Sequence, residues 1–199
     1  DESTSLRKLT GFGSTSSVDF TGKVILDYVY EVDATFKTCT FIRWVATNGN
    51  FYNNQVAWAN NVLTLKQFET VAKDIPGSGV ISAHIVYVID RDVVKCYLKT
   101  DSGYQYLYSN VGNGNVTGFY LESVENEGYF AYKNMKVLDG VFAENYEKAI
   151  LSASSVGETT VEFNKESAGL GDKIVATITP KEAQEGKNIV TSVKLNGQD

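Results

Sequence analysis

The chain has 199 residues, 43% of them hydrophobic and 21% charged, with a formal net charge of −6. That is enough apolar side chain for a core and excludes wholesale disorder. The charge is spread evenly with no basic stripe, which excludes nucleic acid as an expected partner, and no apolar run reaches the roughly 18 residues that would insert a helix into a membrane. Twelve Tyr, ten Phe and two Trp beside one Met and two Pro favour strands, because aromatic and branched side chains suit a pleated, half-buried surface. Asp1 to Leu9 lack the basic start and apolar centre of a signal peptide. The expectation is that a signal has been removed or that the chain starts inside a longer protein.

Val24, Leu26, Tyr28 and Tyr30 alternate with Ile25, Asp27, Val29 and Glu31, which predicts a strand from Lys23 to Val32 with one wetter face. A second strand is expected over Thr35 to Thr47, followed by a tight turn at Thr47-Asn48-Gly49-Asn50. Phe51 to Trp58 and Val62 to Phe68 read as short runs joined at Asn60-Asn61. After the Pro76-Gly77-Ser78-Gly79 breaker, Val80 to Ile89 and Val93 to Lys99 form a hairpin about Asp90-Arg91-Asp92. Tyr104, Tyr106 and Tyr108 alternate in the next run, which ends in the Asn110 to Asn115 loop. Val116 to Ser123 and Tyr129 to Val137 then flank a turn at Glu125-Asn126-Glu127-Gly128. About ten short strands so spaced describe an antiparallel sandwich or barrel.

Past Gly140 aromatics thin out and Ser, Glu and Lys become common. A domain boundary is placed there, dividing residues 1–140 from 141–199, with about 140–146 as linker. Phe142, Tyr146 and Ile150 are spaced for a short helix, while Ala149 to Ala153 also suits a strand. Thr159 to Phe163, Lys173 to Pro180 and Ile189 to Leu195 are further strand candidates, with a turn at Ala168 to Asp172. Fifty residues with few aromatics make a small core. Cys39 and Cys96 both fall in strand-like runs, and a bridge between them is left open.

The stretch Ser82 to Val137, in particular HIVYVIDRDVVKCYLKT, GFYLESV and GYFAYKNMKV, resembles the closing half of concanavalin A-like or laminin G-like jelly-roll domains. The tail resembles bacterial immunoglobulin-like surface repeats, through Gly171 to Pro180 and Val193-Lys194-Leu195-Asn196-Gly197. Together the resemblances imply an all-β chain: an antiparallel jelly-roll β-sandwich followed by a small, incomplete Ig-like β domain. The tail repeat, cut short after Asn196-Gly197, is expected to leave an open strand edge. They also imply a secreted, cell-wall or cell-surface setting in a bacterium of the Gram-positive type, and a structural calcium with Asp19, Asp90, Asp92 and Asp101 as donors.

Relatives of the jelly roll include glucanases with paired carboxylates. Glu31 with Asp33, and Glu125 with Glu127, have the spacing for such pairs, but the first sits at a strand end and the second in a turn, so solvated turn carboxylates are expected. His84 is the single histidine; on a strand beside Val86 and Val88 it reads as a packed or half-exposed sandwich residue, and no triad or zinc site assembles around it or the cysteines. No glycine pattern opens a helix after a strand, which excludes nucleotide binding. Asn115-Val116-Thr117 is a glycosylation sequon without expected meaning in a bacterial protein.

Sugar binding asks for an aromatic face and amide or carboxylate groups. The segment Asn48 to Asn61 supplies Phe51, Tyr52 and Trp58 with Asn50, Asn53, Asn54, Gln55 and Asn60, and it is the first candidate site, read as an aromatic, Asn-rich loop face. The alternative there is that the aromatics fill the core while the Asn residues shape turns. Tyr104, Tyr106 and Tyr108, beside Asn113 and Asn115, are the second, with core or interface packing as the alternative. The expected function is non-catalytic, lectin-like carbohydrate binding, with a glycan or glycoprotein as partner. The alternatives are a protein-binding adhesin or spacer module and, behind it, a glycoside hydrolase or an accessory domain of one.

Overall fold

The computed structural model describes residues 18–33, 37–49, 51–127, 129–154 and 159–180, with backbone alone at 37–39, 51–53, 55, 58–59, 122–127 and 180. The chain divides into two compact units, residues 1–146 and 147–199.

The first unit is an antiparallel jelly-roll sandwich of two five-stranded sheets. Its strands are β1 (Lys23–Asp33), β2 (Lys37–Ala46), β3 (Phe51–Ala59), β4 (Val62–Gln67), β5 (Thr70–Pro76), β6 (Val80–Asp90), β7 (Val93–Thr100), β8 (Gly103–Val111), β9 (Val116–Glu127) and β10 (Phe130–Leu138), followed by the short helix α1 (Gly140–Glu144). The first sheet has the order β10-β1-β6-β7-β8 and the second β5-β4-β3-β2-β9. The chain passes between them at β1 to β2, β5 to β6, β8 to β9 and β9 to β10, so neither sheet closes without the other.

Alternation builds the core. Val24, Leu26, Tyr28, Tyr30 and Val32 of β1 all point into one apolar cluster, where they meet Ile42 and Trp44 of β2 and Tyr87 of β6. Trp44 is fully buried and its ring stands edge-on to Tyr87 at 5.3 Å, the offset geometry aromatic quadrupoles prefer. The turns follow their residues: Asn60 and Asn61 have φ of 54° and 62°, the pair of left-handed conformations of a two-residue hairpin, and Gly49 sits at φ 78° between β2 and β3.

Three expectations change. Thr70 to Pro76 forms β5, a strand the pattern does not announce, because it is an exposed edge of the second sheet and needs no alternation; its proline closes the strand, where a missing N–H costs nothing. The turn expected at Glu125 to Gly128 is displaced, since β9 runs through to Glu127 and pairs with Lys37 of β2. Residues 141–146 are not a linker: they belong with the first unit, α1 lies against β1, and Ala143 is wholly buried.

In the second unit β11 (Ala149–Ile150) pairs with β13 (Ser167–Ala168), and β12 (Thr159–Phe163) with β14 (Ala176–Pro180). The turn before β14 closes at Gly169 to Asp172, where Gly171 takes φ 84°, and the strand expected from Lys173 starts at Ala176. The candidate strand Ile189 to Leu195, Asn196-Gly197 and the open edge expected there lie outside the described residues.

Candidate functional site

The register of the first sheet orders its outer face, turned away from the core. Asp27, Val86, Tyr97 and Tyr106 form one row across β1, β6, β7 and β8, and Val29, His84, Lys99 and Tyr104 form the next. A third row carries Ile25, Val88, Lys95 and Ser109. Ile25, Val86 and Val88 are buried although they face outward, on the side where α1 lies against β1.

Polar groups tie this face together. His84 Nε2 meets Asp27 Oδ1 at 2.6 Å, a diagonal neighbour across the β1–β6 pair. Tyr146, just past α1, donates its hydroxyl to Asp27 Oδ2 at 2.9 Å. Its oxygen lies 3.2 Å from Tyr104 Oη, and since its own proton is given to Asp27, Tyr104 is the donor there. Asp27 is buried, so these bonds replace the water it gives up. Burial, followed by the hydrogen bonds to Tyr104 and Asp27, pushes the Tyr146 phenol above its ordinary range.

The open part of the face is aromatic. Tyr106 is 53% exposed and stands edge-on to Tyr97 at 5.6 Å. Lys99 Nζ lies 5.1 Å from the centre of the Tyr104 ring, within cation–π range. Tyr108 does not join them. A bulge between Cys96 and Tyr97 leaves Leu107 as the extra residue, so Tyr108 turns into the core while Tyr106 stays outside. Nor does the Asn113 and Asn115 loop flank Tyr104 and Tyr106: Asn48 Nδ2 bonds Asn113 Oδ1 at 2.5 Å and Thr47 N–H bonds the Asn115 carbonyl at 2.9 Å, so this loop is tied to the β2–β3 turn at the far end of β8.

The first candidate segment is also placed differently. Phe51, Tyr52, Asn53, Asn54, Gln55 and Trp58 belong to β3, between β2 and β4, and form no loop. The side chains of Phe51, Tyr52, Asn53, Gln55 and Trp58 lie outside the described residues, as does Asn50. Asn54 is fully buried and accepts from Asn110 Nδ2, so it joins the sheets and faces no solvent. β3 and β8 are in different sheets, so the two candidate segments do not make one site.

The calcium donors do not converge. Asp90 and Asp92 bound the β6–β7 turn and Asp101 the β7–β8 turn, with the whole of β7 between them, roughly 25 Å at strand rise. Asp19 Oδ1 accepts from Thr21 N–H at 2.9 Å and Thr21 Oγ1 at 2.7 Å, which holds its carboxyl below the usual range. Among the described residues no three His, Cys, Asp or Glu side chains gather as metal ligands. Glu31 is engaged by Lys133 Nζ at 2.6 Å and Tyr129 Oη at 2.8 Å, while Glu125 and Glu127 are described by backbone alone. Cys96 is a free, buried thiol, and burial pushes its pKa up to about 12. Among the described residues no helix is long and apolar enough to cross a membrane.

Sequence reading passes over Asp27, Tyr97, Lys99 and Tyr146 as site residues. The signal for the first three is parity: each is out of step with the core-facing residues of its own strand. Tyr146 gives no such signal, because its partners come from β1 and β8.

No family model and no curated protein matches the chain. Among solved structures it is similar to the catalytic domain of a GH131 β-glucanase from Podospora anserina, with 14% identity, 64% of this chain and 62% of that one covered, and a TM-score of 0.41. It is also similar to a tetrameric galectin from the ball sponge Cinachyrella, with 10% identity, 67% and 99% covered, and a TM-score of 0.40. A third is the carbohydrate-binding module CBM66 from Bacillus subtilis, with 14% identity, 59% and 83% covered, and a TM-score of 0.36. The match spans less than two thirds of the glucanase domain. These likenesses assign no residue of this chain a role.

Proposed function

We propose that the first unit is a non-catalytic glycan-binding module of a secreted or cell-surface protein, and that the outer face of its first sheet takes the sugar. The observation that carries this reading is the half-exposed Tyr106, set edge-on to Tyr97 at 5.6 Å, with the hydrogen-bonding groups of His84, Lys99 and Tyr104 in the adjoining row. A tyrosine ring offers the apolar face on which the C–H side of a pyranose settles, and the neighbouring polar groups match its hydroxyls. Tyr97 fixes one edge of the Tyr106 ring, so little side-chain freedom is lost on binding. His84 and Tyr104 are held from behind through Asp27 and Tyr146, which suits a rigid receptor.

A glycan array followed by calorimetry tests the proposal. Tyr106→Ala is expected to weaken the best oligosaccharide about tenfold or more, on the order of 1.4 kcal/mol, with the melting temperature nearly unchanged. Wild-type affinity in Tyr106→Ala, or binding to no glycan at all, overturns it.

A further inference from the structure

The turn between β4 and β5 holds a phenylalanine that suits neither its backbone nor its surroundings. Gln67 pairs with Thr70, so Phe68 and Glu69 make a two-residue turn. Phe68 takes φ 53° there, a left-handed conformation that Gly, Asn or Asp adopts at far lower cost than a bulky residue. Its side chain is 48% exposed and lies outside the core and the apolar residues packed on it, so folding gains little from it. The turn is nevertheless fastened in place. Gln67 Nε2 bonds the Ser109 carbonyl at 2.9 Å and also Asn110 Oδ1, which ties the end of β4 to β8 of the other sheet. Phe68 is thereby held beside the edge strand that carries Tyr106. Ser109 follows Tyr106 by three residues, roughly 10 Å at strand rise. Glu69 and Thr70, both exposed, set a carboxylate and a hydroxyl next to the ring. Backbone strain retained at a fixed, solvent-facing side chain is characteristic of ligand clamps.

We infer that Phe68 is a second aromatic contact for the glycan, and that the ligand is an extended oligosaccharide, longer than a disaccharide, running from Tyr106 along β8 to the β4–β5 turn. The inference rests on the reading of the outer face as a sugar platform, and it names the ligand class. Tyr106 alone offers one ring a seat. Two aromatics held at a fixed separation grip one chain at two points, and the second contact is made without a second loss of rigid-body freedom. Affinity therefore grows with chain length until both aromatics are covered.

Calorimetry on the full chain tests this with gluco-, manno-, xylo- and galacto-oligosaccharide ladders, each from monosaccharide to hexasaccharide. In the ladder that binds, affinity is expected to rise about tenfold or more from disaccharide to hexasaccharide, a gain of about 1.4 kcal/mol. Phe68→Asn is expected to flatten that rise, to bind the disaccharide like the parent, and to melt at a higher temperature, because Asn tolerates the left-handed conformation. Phe68→Trp keeps an aromatic face at the turn and is expected to preserve the rise. A residue kept for packing alone would behave in the opposite way, with a lower melting temperature and unchanged affinities. Equal affinity of the parent for disaccharide and hexasaccharide, or a rise that survives in Phe68→Asn, overturns the inference and leaves the platform standing if Tyr106→Ala still weakens binding. A rise lost in Phe68→Asn but untouched by Tyr106→Ala upholds the contact at the turn and overturns the platform. Binding to no oligosaccharide overturns both.

Discussion

Glu31 lies near the end of β1 with Lys133 Nζ at 2.6 Å and Tyr129 Oη at 2.8 Å. The hydrogen bond from Lys133, then that from Tyr129, holds its carboxyl below the usual range, and the same pairing raises Lys133. A carboxylate whose folded pKa is depressed adds stability that is present above its unfolded pKa and lost as the pH falls through the folded one. A raised lysine adds stability below its unfolded pKa, lost as the pH rises through the folded one. Both contributions are complete between roughly pH 5 and 10. Glu31→Gln is therefore expected to melt slightly lower than the parent at neutral pH, and the two curves should converge below roughly pH 4. The difference will be small, because surface pairs are screened by solvent; one that persists undiminished at low pH in thermal melts refutes the assignment. Cys96 shows the opposite treatment of an ionisable group: buried beside Tyr87 and Tyr108, its thiol is kept neutral by lack of water, which makes it a core residue with little nucleophilic character.

Two local irregularities decide what the outer face presents. The extra residue at Leu107 sends Tyr108 inward and leaves Tyr106 outside, so three tyrosines at even spacing divide between two environments. The short helix α1 then returns the chain to β1 and delivers Tyr146 to Asp27. Tyr146→Phe removes a donor from a buried carboxylate, which costs about 1–3 kcal/mol, and it releases Tyr104 at the same time. Tyr104→Phe leaves the Tyr146–Asp27 bond in place and is expected to cost less. Chemical denaturation of the two variants checks the order; an equal or reversed cost removes Tyr146 from its anchoring role.

The two sheets are joined by apolar packing and, among the described residues, by a set of amide hydrogen bonds. Asn54 of β3 accepts from Asn110 of β8, and Asn110 Oδ1 accepts from Gln67 of β4, whose Nε2 also reaches the Ser109 carbonyl at 2.9 Å. Asn54 and Asn110 are both buried, so cutting either one removes a buried hydrogen bond from the other. Asn110→Ala and Asn54→Ala are each expected to cost about 1–3 kcal/mol, and the double variant should fall short of their sum by at least about 0.5 kcal/mol. Additive losses in denaturation would mean that the amides act separately. The sequence by itself determined the all-β character, nine of the first unit's ten strands and the core face of β1, because alternation and turn residues are local properties of the chain. It also marked Tyr104 and Tyr106. Only the tertiary structure decided that Asn54 lies inside, that Tyr108 turns away from Tyr106, that the exposed β5 is a strand, and that residues 140–146 close over Asp27. Each of those outcomes depends on which strand is the neighbour, and period and composition carry no record of that.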